Sequence, residues 1–503
     1  MKKIILLFVI GLSFVASAQK KNSVQEKFAG AITAADLKKH LYTVASAEME
    51  GRDTPSPGLE KAATYIEEHF KSIGLKPGNG DSYRQYYPIY QDLVTVSAVA
   101  VNGVTFEQNK DFQAGNNYTS TLAFSEILFA GYGIVDDTLD SYKNLDVRGK
   151  AVVILEGAPT DYKSTKQGFQ NPAMTMNKIN AAANKGAAAI LIVSKNLSRR
   201  NNGASWNLNK YKISVSPIYY SISEKVASAI MGEDGVEIFT KAKKELLTSK
   251  SYSANIDLGF NKATKTEQVS NVLGVIEGTD KKDEYVIITA HYDHVGKRND
   301  TTIYYGADDD GSGTVSILEL AESFAKAKAA GHGPRRSILF MTVSGEEHGL
   351  WGSEYYSNHP IYPIEKTTVD LNIDMVGRIG EEYLKDKDSA NYVYVIGDNK
   401  LSSDLTPITD MVNNTYSDLK LDKKYNDPKD PNRFYYRSDH YNFAEKGVPI
   451  IFYFNGVHAD YHKPTDTPDK INYNVMEKRV KLVFHTAWEI ANRDEMLKRD
   501  MPL

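Results

Sequence analysis

The chain contains no cysteine in 503 residues. A disulfide framework and a lipidated cysteine are therefore excluded, an absence that a chain of this length tolerates better than a small secreted domain would. Positive charge is not in excess: Lys and Arg number 60 against 64 Asp and Glu, for a net charge of -4. There is thus no basic footprint of the kind nucleic acid requires. Beyond its first residues the chain has no apolar run long enough to span a bilayer, no internal repeat and no low-complexity tract. What is present, 41% hydrophobic and 25% charged residues, is the composition of a globular protein too long for one ordinary core.

The first residues are the exception. Met1-Lys2-Lys3 precedes an apolar run from Ile4 to Val15, and Ala16-Ser17-Ala18 comes before polar Gln19. This reads as a secretory signal with a small-residue cleavage site. A membrane anchor would need about 20 apolar residues. The expectation is a signal peptide at 1–18 and a mature chain that is periplasmic or secreted, with no membrane attachment once the signal is removed.

Helical spacing places Leu37, Leu41 and Val44 on one face and Ala62, Ala63, Ile66, Phe70 and Ile73 on another, with Gly74 as a stop. Met49-Glu50-Gly51-Arg52 between them reads as a surface turn. From Val94 to Gln268 the texture changes to short alternating runs broken by Gly, Asn and Asp, which predicts a small β-rich domain. Its clearest strands are Ala123 to Ala130, Ala151 to Leu155 and Ala188 to Val193, with a helix from Ala173 to Lys185. The segment has no histidine and is given no catalytic part. From Asn271 onward strand and helix alternate to the end. Tyr285 to Ala290, Ser337 to Ser344, Val369 to Ile373, Tyr392 to Ile396 and Val448 to Phe454 read as strands, and Asn474 as the cap of a final helix. The fold class expected is α/β, a mainly parallel mixed sheet with helices on both faces, plus the inserted β-rich domain.

The chemistry gathers at the ends of these strands. The run Tyr285 to Ala290 leads into His291-Tyr292-Asp293-His294. Downstream, Gly306-Ala307-Asp308-Asp309-Asp310-Gly311-Ser312-Gly313 opens a helix that carries Val315, Leu318, Ala321 and Phe324. Three carboxylates there exceed what capping needs. Gly345-Glu346-Glu347-His348 follows the next strand, Asp374-Met375-Val376-Gly377-Arg378 another, and a loop from His458 to Thr467 the last. Zinc takes imidazole nitrogens and carboxylate oxygens converging from separate elements. A pair of ions about 3.5 to 4 Å apart needs a bridging carboxylate, a role open to the middle of the Asp308 to Asp310 cluster. Adjacent Glu346 and Glu347 point differently, so one can ligate while the other serves as a base. Spacing leaves His458 and His462 both open as the last ligand. His294, His348 and His440 lie near the motifs; His40, His69, His332, His359 and His485 read as ordinary helix or surface residues.

On the motifs His-x-Asp, Gly-Ala-Asp-Asp-Asp-Gly-Ser-Gly, Gly-Glu-Glu, Asp-Met-Val-Gly and Tyr-His-x-Pro, the sequence resembles the co-catalytic, two-zinc exopeptidase family. That family includes bacterial leucyl aminopeptidases and glutamate carboxypeptidase. Tyr132-Gly133-Ile134 with Leu145 to Lys150 resembles the protease-associated domain found in some members. The resemblance implies a zinc exopeptidase fold in two parts, 19–93 and 269–503, around a protease-associated insertion at 94–268. It also implies two Zn2+ ions: His291 and Asp374 on one, Glu347 and His462 on the other, and Asp309 bridging. Glu346 would be the general base, Asp293 would orient His291, and Tyr461 would donate to the oxyanion. A cis peptide bond after Asp309 belongs to the same resemblance. The implied activity is hydrolysis at the free amino terminus of peptides by a metal-bridged hydroxide. The gathered carboxylates favour an ammonium group, while only Arg378 and Arg437 lie near the motifs to receive a terminal carboxylate. A carboxypeptidase or dipeptidase of the same family is the alternative; a glutaminyl cyclase or a non-catalytic receptor-like protein is further off. Peptides are the expected partners, and the oligomeric state is left open.

Overall fold

The computed structural model describes residues 21–115, 118–197, 205–210, 216–244 and 249–503. The expected signal at 1–18 lies outside the described residues. The chain forms two units, one of the residues up to Pro88 with Gln268–Leu503 and one of Ile89–Glu267. It passes from one to the other inside two long strands, Arg84–Val101 and Lys250–Ile276. The first break falls ahead of residue 94, because an extended strand carries no change of texture at which a boundary could be read.

In the first unit the elements that matter are helices α1 (Ala34–Val44) and α2 (Pro57–Ser72), strand β1 (Lys281–His291), helix α3 (Gly313–Ala329), strand β2 (Arg336–Val343), helix α4 (Trp351–Asn358), strands β3 (Thr367–Ile373), β4 (Tyr392–Ile396) and β5 (Ile450–Phe454), and helix α5 (Tyr473–Asn492). The sheet order is Lys420–Asp422, β4, β5, β3, β1, β2, then Val272 to Ile276 of the long strand. β1 runs parallel to β2 and β3, and β3 parallel to β5. β4 is antiparallel to β5, and Val272 to Ile276 antiparallel to β2. Every residue of β2, β3, β4 and β5 is buried. Since side chains alternate between faces, both faces of this sheet are covered. Helices α3 and α5 pack against β1, β2 and β3, and the short helix His440–Ala444 packs on β3, β5 and α4.

The strand order reverses at β1, whose successor β2 lies on one side and β3 on the other. Such a switch point leaves a crevice at the carboxyl ends of the strands, where ligands bind in open α/β sheets. Local signals hold the helices in register with it. Ser56 accepts from Leu59 N at 3.1 Å, with Pro57 opening α2. The cap of α5 is Asn472, not Asn474: its side chain accepts from Val475 N at 3.3 Å. Tyr473 already has helical backbone, so the cap sits ahead of it.

The second unit has a sheet of its own strands: the part of Lys250–Ile276 up to Phe260, then Ser120–Phe129, Ala151–Leu155, Ala189–Val193, Tyr219–Ile222 and Phe112–Ala114. The middle strands are parallel and fully buried, and Thr175–Asn184 supplies the expected helix ahead of Ala189.

Candidate metal centre and active-site cleft

Each strand end expected to carry chemistry delivers a side chain to the crevice. His291, the last residue of β1, points Nε2 to within 3.3 Å of Asp309 Oδ1, 3.7 Å of Asp374 Oδ1 and 3.8 Å of Glu346 Oε2. His462 Nε2 lies 3.0 Å from Asp309 Oδ2 and 3.1 Å from Glu347 Oε2. One carboxylate, Asp309, thus offers one oxygen to each of two imidazoles. The peptide bond between Asp309 and Asp310 is cis. Residues Ala307 to Ser312 do not continue α3 backwards as a regular turn; Asp309 and Asp310 have non-helical backbone, which turns Asp309 into the crevice.

All of these donors but the exposed His462 are buried or nearly so, yet they do not satisfy one another. His291 Nε2, both ring nitrogens of His294, Asp309 Oδ2 and Glu347 Oε1 have no hydrogen-bond partner. His294 Nδ1 lies only 2.9 Å from Glu347 Oε1, in an orientation that forms no hydrogen bond. Buried polar atoms left this way are destabilising unless something else fills the space. Tetrahedral zinc, with bonds of about 2.0 to 2.2 Å, keeps its donors roughly 3.2 to 3.6 Å apart. The nitrogen and oxygen donors here stand 2.9 to 3.8 Å apart, around that spacing, and are of the right type, so the residues fit a divalent zinc centre. Two groups of three satisfy the geometry: His291, Asp310 and Asp374, and His294, Asp309 and Glu347. Asp310 belongs to the first group; its Oδ1 accepts from Gly313 N at 2.7 Å and Met375 N at 3.1 Å, while its buried Oδ2 has no hydrogen-bond partner.

Negative charge dominates the electrostatics. Against its burial, Asp309 and Glu347 pull the His462 imidazole up to about 10. Despite burial, His291 and His462 hold Asp309 well below the usual carboxylate range. Burial, reinforced by Glu347 and Asp374, pushes Glu346 well above it. The two adjacent glutamates therefore differ: Glu347 is kept lowered by His294 and His462, whereas Glu346 retains its proton more readily.

Residues 271–487 match the family described as Peptidase family M28. The chain carries a peptidase family M28 domain. Over 245 residues, 46% of this chain and 63% of the relative, it is 32% identical to a probable leucine aminopeptidase of Arthroderma otae. Over 370 residues, 70% of this chain and 65% of the relative, it is 26% identical to aminopeptidase YwaD of Bacillus subtilis. It therefore spans less than two thirds of the length of these curated relatives. An aminopeptidase from Aneurinibacillus sp. strain AM-1 shares the fold, with a TM-score of 0.52 and 21% identity over 95% of this chain and 99% of that one.

Several features of the M28 domain depart from the expectations. Asp293 faces His291, but the atom at hydrogen-bond distance from Nδ1 is its main-chain oxygen at 3.1 Å; the carboxylate is 3.7 Å away. That carboxylate instead accepts from Thr54 Oγ1 and Glu346 N, both at 3.2 Å. Of the two loop histidines left open, His458 turns away to Asp308 Oδ2, 3.2 Å from its Nε2. Ser438 donates to Asp374 Oδ2 at 2.7 Å and accepts from Asn372 Nδ2 at 2.9 Å, fixing Asp374. Asp466 braces the acidic loop through the amides of Asp308 and Asp309, at 2.9 and 3.3 Å. Arg52 is no surface residue. It is wholly buried and donates to the carbonyls of Val44, Tyr292, Tyr305 and Gly306 at 2.7 to 2.9 Å.

Beside the donors lies a small cleft open to solvent. Glu346, Asp374, Arg437 and Tyr461 line it together with apolar Met375, Phe434, Phe452, Phe454 and Val457. The Tyr461 ring stacks on His462 with centroids 3.9 Å apart. Burial and the nearby carboxylates raise the Tyr461 phenol far above its ordinary value, so it stays a proton donor. Arg378 is engaged elsewhere, 2.8 Å from Asp460 and 3.6 Å from Asp466.

Proposed function

We propose that this chain is a zinc aminopeptidase that removes residues with apolar side chains from the free amino terminus of peptides. The observation that carries the reading is Asp309, with its two oxygens 3.3 and 3.0 Å from the imidazoles of His291 and His462. In this reading His291, Asp309 and Asp374 hold one ion, Asp309, Glu347 and His462 hold a second, and His294 stands against Glu347. Zinc bound there supplies Lewis acidity, polarising the scissile carbonyl and acidifying water.

The protein's own groups do the rest. Glu346 accepts the proton of the attacking water at its carboxylate and hands it to the leaving amine, a role its place on the cleft beside the donors suits. Tyr461 donates its phenolic hydrogen to the oxygen that gains charge. The apolar wall of Met375, Phe434, Phe452 and Phe454 excludes water from one side of the substrate and receives an aliphatic side chain. The negative charge gathered on this cleft favours a substrate ammonium over a carboxylate.

Arg437 favours a second reading. It lines the cleft and could receive a terminal carboxylate, as a carboxypeptidase requires. Turnover of leucyl arylamide, which has a free amine and no carboxylate, tests the choice. Hydrolysis that vanishes on N-acetylation is expected; release of C-terminal residues from N-blocked peptides would replace the aminopeptidase with the carboxypeptidase. We further propose that the Ile89–Glu267 unit is a protease-associated insertion serving as a spacer or lid. In support, the side-chain groups able to hold a metal among the described residues all belong to the other unit. Export of the mature chain from Gln19 is part of the same proposal, and no helix among the described residues is long and apolar enough to cross a membrane.

A further inference from the structure

A second polar cluster lies where α1, α2 and α3 meet, on residues the peptidase chemistry does not use. His40 on α1, His69 on α2 and Glu322 on α3 each present a donor atom, and all three atoms lie within 4.8 Å of one another. Glu319, nearly one turn ahead of Glu322, adds a fourth donor. Its Oε1 is 3.6 Å from His40 Nε2, while Glu322 Oε2 is 4.0 Å from His69 Nε2. The two imidazoles meet edge to face with centroids 4.7 Å apart.

These atoms are not explained as a hydrogen-bonded network. His69 Nε2 and Glu319 Oε1 are buried without a hydrogen-bond partner, and the Glu319 side chain is only 2% exposed. The orientation of His40 is informative. Its other nitrogen, Nδ1, lies 2.7 Å from the Tyr65 hydroxyl on α2. With Nδ1–H donated to that oxygen, Nε2 directs a lone pair into the cluster, which is how a metal-ligating histidine is held. One oxygen of Glu322 is occupied by Lys326, at 2.7 Å, and the other is left facing His69.

We propose that His40, His69, Glu319 and Glu322 form a structural zinc site that clamps α1 and α2 onto α3. Two imidazole nitrogens and two carboxylate oxygens are a donor set zinc accepts, and four protein donors leave no open position for catalysis. Tetrahedral zinc keeps its donors roughly 3.2 to 3.6 Å apart, so the His40, His69 and Glu322 atoms, which lie within 4.8 Å of one another, and Glu319, 3.6 Å from His40, would draw in around the ion. The ion has a way in: the Glu322 side chain is 30% exposed, against 11% for His69. Because α3 begins directly after the acidic loop, the clamp lies on the helix that leads out of the peptidase centre but outside its ligands.

The test is a zinc count by plasma mass spectrometry on full-length protein saturated with zinc and freed of loose ion by gel filtration. His69→Gln is expected to carry one ion fewer than the unmodified chain and to melt at a lower temperature in zinc, with the two melting curves converging after chelation. Its rate on leucyl arylamide is expected to be unchanged. Equal zinc counts in the two proteins would overturn the site and leave a buried polar cluster in its place. Should His69→Gln fail to fold, the count is made on His291→Ala/Asp309→Asn/His462→Ala, in which the peptidase centre is emptied. One tightly held ion there supports the clamp, and none overturns it.

Discussion

Glu346 and Glu347 are neighbours in sequence but meet different surroundings. Glu347 lies between two imidazoles, 2.9 Å from His294 and 3.1 Å from His462, whereas Glu346 faces the cleft. Replacing Glu346 by Gln is expected to lower kcat by about 10²-fold or more, the usual scale for removing a general base, with the zinc content unchanged. Steady-state kinetics paired with a metal count on the same preparation checks this; loss of zinc would exchange the roles of the two glutamates. The residues at strand ends were legible because each follows a buried apolar run and carries a side chain with no reason to be there for packing. Ser438, Asp466 and Arg52 were not. Their parts consist of hydrogen bonds to Asp374, to the amides of Asp308 and Asp309 and to four distant carbonyls, and no local spacing encodes such partners.

Among the elements, strands could be read almost to the residue where an apolar run begins and ends at polar punctuation, as Tyr392–Ile396 does. The links between elements were hidden. Arg52 joins the end of α1 to the residue after β1 and to the loop before Asp308, so its loss strands several buried carbonyls at once. Arg52→Met is expected to destabilise the fold by more than about 3 kcal/mol, read from denaturant midpoints, because each orphaned buried acceptor costs about 1 to 3 kcal/mol. Helix α5 gives a pH effect. Burial, helped by Lys21 and Lys481, lowers His485 to about 3, and its ring stacks on Tyr416 with centroids 4.1 Å apart. A folded value below the unfolded one, near 6.5, means that the stability it contributes is present above pH 6.5 and is lost as the pH falls toward 3. Between pH 7 and 5 the unmodified chain should therefore lose about 1 to 2 kcal/mol more than His485→Phe, which keeps the stacking and cannot charge. Parallel pH-dependent curves for the two would refute this.

For the molecule as a whole, the peptidase centre concentrates carboxylates that repel one another unless a cation joins them. An ion that binds the folded chain and not the unfolded one stabilises it by about 2.7 kcal/mol at a hundredfold excess over its dissociation constant. Chelation should accordingly lower the melting temperature by several degrees and added zinc should restore it, as scanning calorimetry would show; superimposable curves would argue that the centre holds no metal. The centre also has an order of manufacture. Its first donor, His291, ends β1, while its last, His462, sits on a loop that also supplies Tyr461 to the cleft and Asp466 to the amides of Asp308 and Asp309. A ribosome making this chain has passed residue 466 before the acidic loop is braced and the final imidazole is in reach. A nascent or truncated chain that ends before residue 462 thus lacks both the last of these donors and the brace on the acidic loop.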